Sequence, residues 1–419
     1  MKIISQKAVT NMQSIPTSDK VLIRELAKQV AELAAQPIME EYKRLWRGLN
    51  ALKPERPMVV ADQICWNEMD IDNELTLQTK HPVARYYETE LRRAIYRRKH
   101  MPDDIPIEPF IRVNKAITGC DLGVEIQKST LLTDKTNDVI SQHYKNQITS
   151  MDDVEKVKIP IVNHDKAETA RRMEAAHELF DDILEIREEG YDPYLSVWDP
   201  ISTWMGVESA LYAMIDDPEM IHALVNRIVA AYMSMLDQLE QQELLCGAQS
   251  LIHCTGAYID ELPPKKTGTK DLWMFGLAQM LGTVSPEMYN EFEIELCMPI
   301  FQRFGLVYYG CCEPLDDKIE ILRKIKNIRK LSVSPWANQN RIAEEISGQW
   351  VFSRKPNPAY LAADSFDENL IRADLSQTIN LCKQNNCPLE LIQKDISTVR
   401  YQPKRLWKWV EIANELVKR

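Results

Sequence analysis

Glycine is scarce in this chain, 13 of 419 residues, and none of the glycines falls in a GxGxxG or GxxxxGK[ST] run. Both of those phosphate-cradling turns need glycine for close backbone approach, so the pattern argues against nucleotide binding. Long apolar runs are also missing. No stretch approaches the roughly 18 residues that cross a bilayer, which points to a protein without membrane partners. The first residues, Met1 to Lys7, lack the apolar core and small-residue cleavage site of an export signal, so a cytoplasmic location is expected. Positive charge is in deficit: 51 Lys and Arg against 62 Asp and Glu leave a net charge of −11. That balance argues against a nucleic-acid surface, and the basic run Arg97 to His100 reads as the solvated face of a helix. Nine cysteines are present, an odd number in a reducing compartment, which suits buried, metal-binding or reactive thiols better than disulfides.

What is there is a long alternation of strands and helices. Residues 1–50 read as a helical extension, with Ser18 and Asp19 capping Val21 to Leu33 and a second helix over Pro37 to Leu49. Residues 51–419 read as one domain. Its strands are expected at Pro57–Asp62, Phe110–Val113, Gly123–Ile126, Tyr194–Trp198, Ser250–His253, Leu306–Tyr309, Leu331–Ser334, Trp350–Ser353 and Leu389–Ile392. Helices fall between them, including Val83–Arg98, Lys166–Glu188 and Ser285–Arg303. Strands that alternate with helices pair in parallel, because each crossover returns the chain to the same edge. Without a glycine-rich first turn, a (β/α)8 TIM barrel with an elaborated early βα segment is the better fit than a doubly wound sheet.

In a barrel the residues after each strand share one face, which is where catalytic groups sit. That places Asp62, Trp198, Asp199, His253, Cys311, Cys312, Glu313, Trp336, Arg354 and Lys394 near one another, with Tyr258 close by. His253, Cys254, Cys311, Cys312 and Glu313 offer the imidazole, thiolate and carboxylate that zinc prefers, with a fourth position open for catalysis. The same residues also read as a nucleophile, Cys311 or Cys312 activated by His253, with Pro314 opening a helix whose N-terminus lowers a thiol pKa. Against both stands plain packing, cysteine as a small buried apolar residue. The remaining cysteines, Cys65, Cys120, Cys246, Cys297, Cys382 and Cys387, read as structural. Aromatic Trp198, Tyr258 and Trp336 could wall a flat substrate, and Arg354 could hold an anion.

The second half resembles the uroporphyrinogen decarboxylase superfamily. The resemblance rests on Cys246 to Gln249, Val284 to Tyr289, Ser334 to Trp336, Lys355 to Pro358, and Trp204 to Glu208 followed by Asp217 and Pro218. It implies a (β/α)8 barrel. Decarboxylases of the superfamily carry an arginine-rich N-terminal signature; here Asp62 is present, but no arginine lies between Pro57 and Glu68. The zinc-dependent corrinoid methyltransferases instead use His-x-Cys and a later Cys. Cys311-x-Glu313 stands where that His-x-Cys falls, and no cysteine lies near Lys355 to Pro358, so His253 or Cys254 would complete the set. The resemblance thus implies transfer of a methyl group between a small methylated substrate, such as a methoxylated aromatic, and a corrinoid (cobalamin) carried by a partner protein. Zinc would serve as Lewis acid. Decarboxylation of a tetrapyrrole-type acid and non-catalytic ligand binding are the alternatives, and homo-oligomer formation is left open.

Overall fold

The computed structural model describes residues 14–131, 141–247, 249–264 and 268–418. The N-terminal residues read above for an export signal lie outside them, as does Ala248. Chain order begins with two helices, α1 (Thr17–Ala34) and α2 (Pro37–Asn50), followed by β1 (Met58–Ala61) and α3 (Pro82–His100). Next come β2 (Phe110–Asn114), α4 (Lys166–Phe180), β3 (Glu185–Glu189), α5 (Trp198–Met205) and α6 (Pro218–Gln241). A short antiparallel pair, β4 (Leu251–Ile252) and β5 (Thr255–Gly256), precedes β6 (Trp273–Gly276). The last third alternates regularly through β7 (Leu306–Tyr309), β8 (Ile328–Val333), α7 (Gln339–Ile346), β9 (Val351–Arg354), α8 (Glu368–Gln384), β10 (Leu389–Gln393) and α9 (Lys404–Val417).

Six of these strands form one parallel sheet in the order β1-β10-β9-β8-β7-β6. Both edges continue as irregular backbone. Asp104 N–H donates to Val59 O at 2.9 Å beside β1, and Tyr194 forms a parallel bridge with Phe275 beside β6. Strands β2 and β3 pair with each other instead, in parallel. The fold is therefore mixed α/β around a six-stranded parallel sheet.

The strand period of two sorts the sheet into two faces. Val59, Ala61, Met274, Val307, Tyr309, Leu331, Val333, Phe352 and Leu391 pack outward against the helices in the larger core. Met58, Val60, Trp273, Phe275, Leu306, Tyr308, Val351 and Ile392 pack inward in a second core, together with Leu45, Trp46 and Leu49 of α2. Helix α2 thus lies across the N-terminal ends of the strands; Trp46 Nε1 donates to Asp104 O at 2.8 Å, and Asn50 Nδ2 donates to the carbonyls of Gly256 and Tyr258. Helix α1 packs instead with α3 and α4 around Ile23, Leu91 and Phe180. Asp19 does not cap its own helix. Its carboxylate accepts from the backbone N–H groups of Lys80 and His81, both at 2.9 Å.

Several expected elements take other forms. Helix α4 stops at Phe180, and Glu185–Glu189 is strand rather than helix. Gly123–Ile126 forms no strand. Trp198 opens α5 instead of ending a strand. Leu251 and Ile252 pair in an antiparallel hairpin rather than in the main sheet; the sheet strand of that region is β6, twenty residues further on.

Candidate active site

The cluster is built at the C-terminal end of β7. Gly310 follows the strand with φ of +89°, and a Cβ there would meet Leu315 Cδ1 at 2.5 Å, so only glycine allows this turn. The turn brings the Cys311 side chain inward, where it is buried. Pro314 does not open a helix; the next helical turn begins at Ile319, so the helix start expected beside the thiols lies further along the chain. Glu313 is fully engaged beneath the turn. Its carboxylate accepts from Cys311 N–H at 2.9 Å and from Ala278 N–H at 3.1 Å, tying the exits of β7 and β6 together. Ser332 Oγ donates to Cys311 O at 2.7 Å from β8.

Three side chains converge on the Cys311 sulfur. Lys394 Nζ lies 2.9 Å away, Cys312 Sγ 3.6 Å and His253 Nε2 3.9 Å. Lys394 is two residues past Ile392 and four past Glu390, so the strand period carries it to the inner face. It is buried, 3.3 Å from His253 Nε2 and 3.3 Å from Asp395 Oδ2. His253 sits at the tip of the β4-β5 hairpin with φ of +53°, and its ring stacks on Phe275 at 4.0 Å and 6°. Cys312 donates outward to Asp395 Oδ2 at 3.2 Å.

These contacts set the protonation states. The Cys312 S–H bond, then His253 and Lys394, outweigh burial and hold the Cys311 pKa down at about 3, so it is a thiolate at neutral pH. Cys312 is driven the other way, first by its bond to that thiolate and then by burial, and stays a thiol. Burial disfavours the His253 imidazolium, but hydrogen bonds to Cys254 and Cys311 overcome it and raise the pKa to about 9.

On the far side of Phe275, Tyr194 O–H donates to Asp199 Oδ2 at 2.6 Å, with the Tyr194 ring 5.7 Å from Phe275. The thiolate contributes to the electrostatic environment of both residues, and His253 to that of Asp199. Sequence reasoning noted Asp199 and Lys394 as strand-end residues without choosing them, and passed over Tyr194. The phase of Glu390, Ile392 and Lys394 along β10 is the signal that would have selected the lysine.

The other residues picked from the sequence go elsewhere. Trp198 is fully buried in the outer core and cannot wall a substrate. Arg354 points to the outer face, 3.4 Å from Asp374 of α8, because it is out of phase with inward Ser353 and Lys355. Tyr258 donates to Glu108 and lies beside α2, at the opposite end of the strands. Asp62 stays at the exit of β1, its N–H donating to Gln393 O at 2.9 Å. Trp336 follows β8, 69% exposed.

Zinc needs three converging ligands. Among the described residues no three His, Cys, Asp or Glu side chains are grouped so as to hold a metal ion. Lys394 places its ammonium between Cys311 and His253, where a metal would sit, and Glu313 has given both oxygens to backbone amides. As placed, these residues do not fit zinc; they fit an ion-paired thiolate.

Fold and cluster together define an α/β protein with a buried thiolate–ammonium–imidazole centre at the C-terminal ends of parallel strands. No family model and no curated protein matches the sequence. Among solved structures, the chain is similar to a methyltransferase from Methanosarcina mazei at 11% identity and a TM-score of 0.49, covering 89% of this chain and 97% of that one. No helix among the described residues is long and apolar enough to cross a membrane.

Proposed function

We propose that this protein is a methyltransferase, built on a (β/α)8 barrel, that takes a methyl group from a small donor and passes it to a corrinoid carried by a partner protein. The observation that carries the reading is the Cys311 thiolate held by Lys394 and His253 at the strand ends. The superfamily motifs of the second half support the choice of reaction. The edge segments at Asp104 and Tyr194, one on each side of the six-stranded sheet, support closure of the barrel.

In the reaction the bond from the donor atom to its methyl group breaks, and the donor atom keeps the electron pair. An oxygen leaving group then takes a proton, whereas a neutral amine needs none, and the His253–Lys394 pair holds the protons of the site. The thiolate keeps that pair protonated at neutral pH, because removing a proton would leave its negative charge buried and less well compensated. The corrinoid, when its carrier docks, supplies the nucleophile that accepts the methyl group.

The test uses free cob(I)alamin as acceptor and follows its conversion to methylcobalamin by absorbance, with a methoxyarene and a methylated amine as donors. Conversion should depend on the protein, fall by about a hundredfold in Lys394→Met, the usual scale for losing a proton-transfer group, and fall also in Cys311→Ser, which removes the thiolate that keeps the pair protonated. No conversion with either donor, or conversion unchanged in both variants, overturns the reading. Elemental analysis is run beside it: one zinc per chain, lost in Cys311→Ser, would replace the ion-paired centre by a zinc centre.

A further inference from the structure

We infer that Tyr194 and Asp199 form the donor-binding wall of this site and select a methylated ammonium cation. The inference rests on the methyl-transfer reading and names its substrate class.

The first argument is charge. Among the described residues no lysine, arginine or histidine ion-pairs with Asp199, whose carboxylate accepts from the Tyr194 hydroxyl instead. A neutral donor leaves that carboxylate without a cation, and a monocation supplies one. The second argument is shape. Tyr194 is 45% exposed, and its ring leads inward to Phe275 and the stacked His253 ring. An aromatic face beside a carboxylate is how proteins hold alkylammonium groups, whose methyl carbons carry the positive charge and cannot donate strong hydrogen bonds. The third is the fixed geometry of the carboxylate. Tyr194 O–H occupies one side of Asp199 Oδ2 at 2.6 Å, and the Asp199 backbone N–H is bonded to Ser196 Oγ at 3.2 Å. The pair is therefore oriented before any ligand arrives.

The chemistry closes. The C–N bond breaks, nitrogen keeps the electron pair, and the methyl group leaves with the acceptor's electrons. The bound cation becomes a neutral amine, its attraction to Asp199 falls, and release follows. Asp199 therefore acts in binding, and its loss should appear in KM more than in kcat.

The test is calorimetric binding to the full-length protein of choline and of 3,3-dimethylbutan-1-ol, its uncharged isostere. Choline should bind at least about tenfold tighter, the scale of one charge-assisted contact. Asp199→Asn should abolish the preference while leaving the alcohol's affinity unchanged. Tyr194→Phe, which removes only an oxygen from a part-exposed ring, should weaken the preference and guards against a misfolded Asp199→Asn. Equal binding of the two ligands, or a preference that survives both variants, overturns the inference. The two proposals separate cleanly. A cation bound through Asp199 but never demethylated sinks the methyl-transfer reading alone. Demethylation of a methoxyarene with no dependence on Asp199 sinks this inference alone.

Discussion

Replacing Lys330 by methionine should cost stability in a way that depends steeply on pH. Lys330 and Glu390 are both fully buried on the inner face, with Nζ to Oε2 at 2.8 Å. Lys330 also donates to Thr255 Oγ1 at 3.0 Å and Gly256 O at 3.1 Å, and its ammonium lies 4.8 Å from the Trp46 ring. At an effective dielectric of about 20 the gross attraction is roughly 6 kcal/mol, much of it offset by desolvation. The loss in the variant is smaller, because Glu390 can escape by taking up a proton. Burial alone would raise its pKa; Lys330 and Lys355 together pull it below the ordinary 4.5. With Lys330 gone, keeping the carboxyl neutral costs about 1.4 kcal/mol for each pH unit above that ordinary value. The ceiling is then about 4 kcal/mol at pH 7.5 and about 1.4 kcal/mol at pH 5.5. The sign follows from linkage. In the variant the folded pKa lies above the unfolded one, so the penalty is present at high pH and is relieved as pH falls toward 4.5. In the native protein the folded pKa lies below, so its contribution persists until pH falls beneath 4.5. Urea denaturation at the two pH values should show the gap between the proteins narrowing by about 2 to 3 kcal/mol. Lys330→Met/Glu390→Gln, which removes the charge, keeps one acceptor oxygen for Ser353 and offers an amide N–H to the Thr255 hydroxyl freed by Lys330, should recover most of the loss. A gap that does not change with pH, or one below about 1 kcal/mol at pH 7.5, would refute the reasoning.

Other outcomes follow from the geometry of the candidate site. Cys311 should react with iodoacetamide at a rate flat from pH 6 to 8, since its thiolate is already formed, whereas an ordinary thiol gains about tenfold per unit over that range; peptide mapping of the labelled site reads this. Lys394→Met should restore a pH-dependent rate at Cys311, and an unchanged flat profile would deny the lysine its role. Gly310→Ala should lower stability by about 1 to 3 kcal/mol, from its positive φ and the Leu315 contact, and should blunt Cys311 labelling. Trp198→Phe should leave donor affinity unchanged, because the indole lies in the outer core; a large affinity loss would put it back among the substrate contacts.

Much of the architecture was legible because its signals are local. Strands β1 and β7 are short apolar runs, β9 and β10 carry Val351-Phe352 and Leu391-Ile392, and proline at the start of the 286–303 helical run marks its first turn. β6 was missed because Trp273 to Gly276 follows a polar loop and Ser250 to His253, which looked equally strand-like, already filled its place in the alternation. The two runs differ in partners, which only the fold supplies: β6 joins the sheet beside β7, and Leu251–Ile252 closes on Thr255–Gly256. The cluster was half legible for a related reason. Cysteines 311 and 312 announce themselves by chemistry, but lysine is common and usually solvated, so Lys394 stands out only once β10 is known to present Glu390, Ile392 and Lys394 on one face. Glu313 shows the opposite error: a carboxylate beside two cysteines invites a metal, yet the exits of β7 and β6 present the buried N–H groups of Cys311 and Ala278, and both donate to it. Backbone amides therefore claimed the carboxylate before any ligand could. A lysine standing where a metal would be expected is the same logic seen from the sulfur: a buried thiolate requires a cation, and this chain supplies one from its own last strand.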